Sequence, residues 1–400
     1  MTSYPPITHE QIDWFHDPYP DYARLRQSGV PLWLPHDENY ASEGVWLFSR
    51  YHAAESILKR TSGVTKNVRS KRFEADQTPF DIHMLNRDGA DHARLRNLVA
   101  HFFSSKSIRN LEPEIRLQAE RLLQSMSGTD EVDFISAFAE PLPMAVIAGL
   151  IGVPQEDMSR IRKWSLMISR GSDSQLVDDD LKNGRKEALS EFIDYTEWLV
   201  AEKAASPVED LISHLVHCES EDLISREETV GMIAFLLFAG HETTVGLIGN
   251  MVWLLLMHPE QWLLLREKPE LAMRAVEETL RYESPTQRST YRFATERINI
   301  SGFELEAGQQ FAVILGSANR DGAFFSDPDR FDIQRAPNRH LAFGIGVHNC
   351  IGKTLARVEA RVALEQLINL REQPVLITDR PSWNRNSFFR GLEKLPVKLG

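Results

Sequence analysis

Cys350 is one of only two cysteines in this 400-residue chain. It lies near the end of a glycine-rich run, Phe343-Gly344-Ile345-Gly346-Val347-His348-Asn349-Cys350-Ile351-Gly352. A thiolate is a soft, strongly donating ligand suited to a redox-active metal. Gly344 and Gly346 give the main chain conformations closed to other residues, and they let a flat ligand come close to it. Backbone N–H groups of such a loop can donate to the sulfur, tempering its basicity and its exposure to oxidation. A lone cysteine is more often a small buried hydrophobe; the spacing of the whole run argues otherwise.

A second group able to do chemistry interrupts an apolar stretch: Ala239-Gly240-His241-Glu242-Thr243-Thr244. An acid followed by an alcohol can relay protons to a reacting atom without bulk water. Gly240 and the threonines are weak helix formers where the pattern wants strong ones, which predicts either a functional kink or a packing notch. His241-Glu242 begins like a zinc-protease motif, but that motif needs a second histidine four residues after the first, and Val245 stands there. Glu278 and Arg281 share a helix face at i,i+3, and His92 and Arg96 do so at i,i+4.

The elements that must position these residues are mainly helical, with a minor strand component. Residues 21–27, 53–60, 91–103, 108–126, 157–168 and 181–204 carry helical periodicity, with the polar stretch 170–180 as a loop. Residues 227–258, stopped by Pro259, form the longest helix and are apolar nearly all round, so this helix should cross the core with Glu242 and Thr243 at its middle. Residues 269–282 form a helix carrying Glu278 and Arg281, and 353–370 another directly after Cys350. Residues 45–49 read as an edge strand, while 298–300 and 311–315 alternate as strands. With no linker, repeat or low-complexity tract, residues 1–400 read as a single domain.

Phe-Gly-x-Gly-x-His-x-Cys-x-Gly resembles the haem-binding signature of the cytochrome P-450 family, with every defining position filled. The resemblance implies that family's mainly α fold with a small β component, its long helix crossing a haem b held by the Cys350 thiolate. It also implies a monooxygenase that inserts one oxygen atom from O2 into an apolar organic substrate, in secondary or lipid metabolism. Thr243 would be the relay hydroxyl and Glu242 the acid that replenishes it, with Ala239, Gly240, Phe343 and Gly344 against the haem. His92, Arg96, Arg292 and His348 resemble the propionate partners. Glu278 and Arg281 resemble the structural Glu-x-x-Arg element, which residues 318–321 and 327–332 would complete. Arg292 follows Arg281 by eleven residues, one more than is usual in bacterial relatives, and Gly322 stands where a proline commonly follows Asn-Arg-Asp. Substrate-pocket candidates are Met84, Leu85, Phe235, Phe238, Ala239, Arg288, Ser387 and Phe388. Arg288 would either select a polar end of the substrate or point outward. Competing readings are a peroxide-driven or redox-neutral haem-thiolate enzyme, against which the intact Glu242-Thr243 pair argues, and a non-catalytic haem-binding protein.

A net charge of −12 argues against a nucleic-acid surface. Two cysteines, Cys218 and Cys350, suit a reducing cytoplasm, and the N-terminal stretch lacks the features of a leader or membrane anchor. The chain carries neither a glycine-rich nucleotide motif nor an iron–sulfur cysteine set. A monomer receiving electrons from a separate ferredoxin or flavodoxin, itself served by an NAD(P)H-dependent reductase, is therefore expected. Arg94, Lys353 and Arg357 are the candidate docking cations.

Overall fold

The central helix, Arg226–Met257, begins where Ser225 can cap it. Glu228 N–H donates to Ser225 Oγ at 3.2 Å and Ser225 N–H donates to the Glu228 carboxylate at 3.0 Å, satisfying two donors that a helix start leaves orphaned. Its buried residues lie on every face, so it is wrapped by other elements rather than laid on a surface. Pro141–Ile151, Asp179–Ala205, Ala272–Tyr282 and Lys353–Ile368 all pack against it. By length and composition it would pass for a membrane span, but most of its apolar window is buried inside the protein.

The computed structural model describes residues 7–35, 43–67, 78–170, 178–378 and 380–399. The loop expected at 170–180 falls mostly outside them. Helices appear close to their expected places at Tyr19–Ser28, Tyr51–Lys59, Gly89–Ala100, Ser105–Met126 and Met158–Arg170. The expected 269–282 helix is split into a 3-10 turn, Pro269–Leu271, and the helix Ala272–Tyr282. Pro141–Ile151, Leu211–Ser220 and Pro259–Glu267 escaped the periodicity reading. The first is apolar nearly all round and so shows no 3.6-residue alternation. The second did carry a signal, since Asp210 caps it by accepting from Ser213 N–H at 2.7 Å.

Five strands form one sheet in the order Leu32–Pro35, Gly44–Phe48, Gln310–Val313, Arg292–Ala294, Val64–Thr65. The stretch read as an edge strand is interior: Gly44–Phe48 pairs antiparallel with Leu32–Pro35 and parallel with Gln310–Val313. The second of these partners lies over 200 residues downstream, which local alternation does not reveal. Two of these strands matter for the site. Arg292 opens one, and Val64–Thr65 runs into Lys66.

Candidate active site

The cysteine loop is held by its own backbone. Cys350 N–H donates to Phe343 O at 2.9 Å, Gly344 N–H to Leu341 O at 2.8 Å, and the Asn349 amide to Gly344 O at 2.9 Å. Gly344 and Gly346 both have positive φ, and a Cβ on Gly346 would stand 2.8 Å from Leu58 O. Arg357 clamps the loop from behind, lying 4.5 Å from the Phe343 ring centroid while its guanidinium grips Glu277 at 2.6 and 2.9 Å. Burial alone would raise the Glu277 carboxyl, but hydrogen bonds from His340 and Arg357 outweigh it and hold it at about 2. Cys350 is exposed to a cavity yet enclosed by protein. Burial pushes its thiol up, opposed by a hydrogen bond from Gly352 N–H and by the charges of Arg96, Lys353 and Arg357.

Ala239, Gly240 and Thr243 of the central helix line the same cavity. The helix runs unbroken through Gly240. A Cβ there would stand 2.5 Å from Ile147 Cγ1, so Gly240 forms a packing notch. Thr243 donates to Ala239 O at 3.2 Å, back-bonding along its own helix. Glu242 does not line the cavity. Burial, with the Glu140 carboxylate second, pushes its carboxyl up to about 7 against the weaker pull of Arg170 and Arg162. Arg162, nearer the surface, donates to Glu140 at 2.6 Å. His241 is buried, and burial lowers it to about 4.

His92, Arg96, Arg292 and His348 line the same cavity. The His92 and His348 rings lie 4.2 Å apart, Arg96 donates to Asn349 O at 2.8 Å, and Arg292 donates to Thr290 O at 3.3 Å. Burial lowers Arg292 to about 10 despite Asp88, and it lowers His348 to about 4 although Asp88 lies 3.7 Å from its Nε2. The sequence reading missed Lys66, which lines the cavity too, buried, with Nζ 2.6 Å from Thr290 Oγ1. It follows a two-residue strand and belongs to no motif.

Glu278 and Arg281 are both fully buried and meet through two hydrogen bonds of 2.9 and 2.8 Å. Arg335, outside the expected stretches, completes the cluster at 3.1 Å from both Glu278 oxygens. The expected stretches contribute backbone groups: Arg281 donates to the oxygens of Asn319, Pro328 and Arg330, and Asp332 N–H donates to Glu278 at 3.0 Å. Arg320 turns away and lies about as close as a cation can to the Tyr19 and Tyr282 rings, at 3.5 and 3.6 Å. A second buried node went unread: Glu283 accepts from Tyr19 Oη at 2.7 Å and Arg390 Nε at 2.6 Å.

Of the substrate-pocket candidates, Met84, Leu85, Phe235, Ala239, Arg288 and Phe388 line the cavity. Phe238 and Ser387 do not. Phe238 packs edge-on between Phe80 and Phe389, and Ser387 accepts a hydrogen bond from Arg288. Arg288 points inward, its guanidinium 3.9 Å from the Phe388 ring centroid. Phe389, Ile147 and Leu247 also line the cavity and were not anticipated. Two of the three docking cations are already spent on carboxylates: Arg94 holds Glu228 at 2.6 and 3.1 Å, and Arg357 holds Glu277. Lys353 alone of the three forms no ion pair among the described residues.

Comparison with known proteins gives this geometry a context. The family profile described as Cytochrome P450 matches residues 265–372. The chain is 41% identical over 393 residues to a biotin biosynthesis cytochrome P450 of Bacillus subtilis, covering 96% of this chain and 97% of the relative. It is 38% identical over 394 residues to cytochrome P450 107B1 of Saccharopolyspora erythraea, covering 95% and 94%. Among solved structures, a myxobacterial cytochrome P450 in complex with myristic acid superposes with a TM-score of 0.88 at 37% identity, over 96% of each chain. Similarity of this degree over nearly the whole length shows that the chain belongs to the cytochrome P450 family, the haem-thiolate monooxygenases that carry haem b on an axial cysteine.

Proposed function

We propose that Cys350 Sγ would hold the iron of a haem seated in the cavity that the cysteine loop and the central helix line. The residues present fit such a group. The loop backbone leaves open space beside Gly344, the cavity is lined mostly by apolar groups, and cations gather at one end where two carboxylates would need them. When bound, the haem supplies the thiolate-supported iron chemistry that activates dioxygen. Gly352 N–H and the surrounding cations favour the thiolate at Sγ. Arg96, Arg292, His92 and His348 bind the propionates. Thr243 Oγ1 delivers protons into the cavity by rotating its hydrogen off Ala239 O. Glu242, protonated below about pH 7, resupplies that hydroxyl, and Glu140 with Arg162 leads outward to solvent. Phe235, Leu236, Phe388 and Phe389 exclude water and hold an apolar substrate.

What supports this reading is that Cys350 and Thr243 line one cavity, with Glu242, whose carboxyl is pushed up towards protonation, next to Thr243 in the chain. Thr243→Ala should keep substrate binding but divert reducing equivalents from product to hydrogen peroxide. Fully coupled turnover in that variant would count against the relay. A redox-neutral or peroxide-driven reaction has no need of this acid–alcohol pair, so the monooxygenase reading is favoured.

Electrons would come from a separate acidic ferredoxin or flavodoxin and its reductase in the cytoplasm, docking on the cysteine side. With Arg94 and Arg357 compensated, Lys353 carries this proposal. Lys353→Glu should slow first-electron transfer and flatten its salt dependence, and unchanged rates would reject the surface.

A further inference from the structure

The geometry points to Lys66 as a fifth haem-propionate partner, the fixed cation that brings this end of the cavity into charge balance with two carboxylates. The inference rests on the proposed propionate placement and extends it to a residue outside every motif.

Lys66 is 3% exposed, and among the described residues its ammonium donates to one neutral hydroxyl, Thr290 Oγ1, at 2.6 Å. An ammonium has three donors, and burying one with so little compensation is costly unless an anion completes the site. The nearby carboxylate is occupied elsewhere. Asp88 accepts from Thr65 Oγ1 at 2.6 Å, from Lys66 N–H at 2.8 Å and from Asn67 N–H at 3.3 Å, and it faces His348 at 3.7 Å. It therefore fixes the backbone on which Lys66 sits rather than capping its ammonium.

The fixed charges decide the count. With the Cys350 thiolate balanced by the ferric porphyrin it would hold, Lys66, Arg96 and Arg292 contribute three positive charges and Asp88 one negative, leaving two positive charges for two propionates. Without Lys66 the same end carries only one. His92 and His348 add hydrogen-bonding capacity but no permanent charge. Burial, with the Arg292 charge second, pushes the Lys66 ammonium well below its usual range against the opposing pull of Asp88. An anion bound in the cavity removes that penalty.

The test measures haem release from the holoprotein to excess apomyoglobin, for wild type, Lys66→Gln and Lys66→Arg. Each is loaded with natural haem or with its dimethyl ester, which has no propionate charge. Gln can still donate to Thr290, so only the charge is removed. With natural haem, Lys66→Gln should release about 10-fold or more faster than wild type, the loss expected for one charged hydrogen bond. Lys66→Arg should restore retention. With the dimethyl ester the two proteins should release at similar rates. An equal Lys66→Gln deficit with both haems would make Lys66 a structural tie to Thr290 and overturn the inference alone. A wild type that holds the ester as tightly as natural haem would overturn the propionate placement itself.

Discussion

Glu242→Gln separates the electrostatic cost of the buried acid from its shape. In the folded protein the Glu242 carboxyl sits at about 7, against an ordinary 4.5, because burial and the Glu140 carboxylate disfavour its charge. A folded value above the unfolded one means that the native state holds its proton more tightly. This carboxyl therefore costs no stability from ionisation below pH 4.5, and an increasing amount as pH rises to 7; above that the cost is constant. At about 1.4 kcal/mol per unit, the full cost is about 3 kcal/mol, of which about 1 kcal/mol has accrued by pH 5.5. Glutamine is neutral throughout and keeps the volume. The stability difference, Glu242→Gln minus wild type, should therefore grow by about 2 kcal/mol between pH 5.5 and 8.5. Denaturant titrations of both proteins at a series of pH values measure it, since contributions of other groups cancel in the difference. The same titration should appear in function, with wild-type coupling of NADPH to product falling as pH rises through about 7. A stability difference that stays flat from pH 5.5 to 8.5 would refute the assignment of Glu242 as a buried, protonated acid.

Two further outcomes are expected. Cys350→Ser should abolish the thiolate-type ferrous–CO absorption band, and an unchanged spectrum would remove Cys350 as the ligand. Glu278→Gln leaves the Arg281 and Arg335 guanidinia without their shared anion and should destabilise the fold by about 3–5 kcal/mol. Over 400 residues that corresponds to a lower melting temperature by about 4–6 °C. A loss under about 1 kcal/mol would mean that the cluster is not the electrostatic lock described here.

What could be read in the sequence was whatever a short stretch of chain encodes. The Cys350 loop was legible because its glycines, histidine and cysteine act within ten residues and need one another's backbone. The Glu242-Thr243 pair was legible because a polar interruption in an apolar helix is costly unless it has a use. The ends of the central helix were legible because capping and proline termination are nearest-neighbour effects. The sequence left the Gly240 conflict as a choice between kink and notch, and the approach of Ile147 from a separate helix shows the notch.

Tertiary structure decided what depends on residues far apart in the chain. Arg335 completes the Glu278–Arg281 cluster from 54 residues beyond Arg281, and the carbonyls of Asn319, Pro328 and Arg330 reach Arg281 from comparably distant stretches. Arg94 and Arg357 look like free cations in sequence, but their charges are cancelled by Glu228 and Glu277, which folding brings alongside. Lys66 shares no motif with Arg292, yet adjacent strands carry both to one end of the cavity. The sequence by itself carried the motifs on which the proposed iron ligand and proton relay rest, whereas charge and desolvation are set by all neighbours in space. Which cations remain free, and how tightly each acid holds its proton, was decided by the fold.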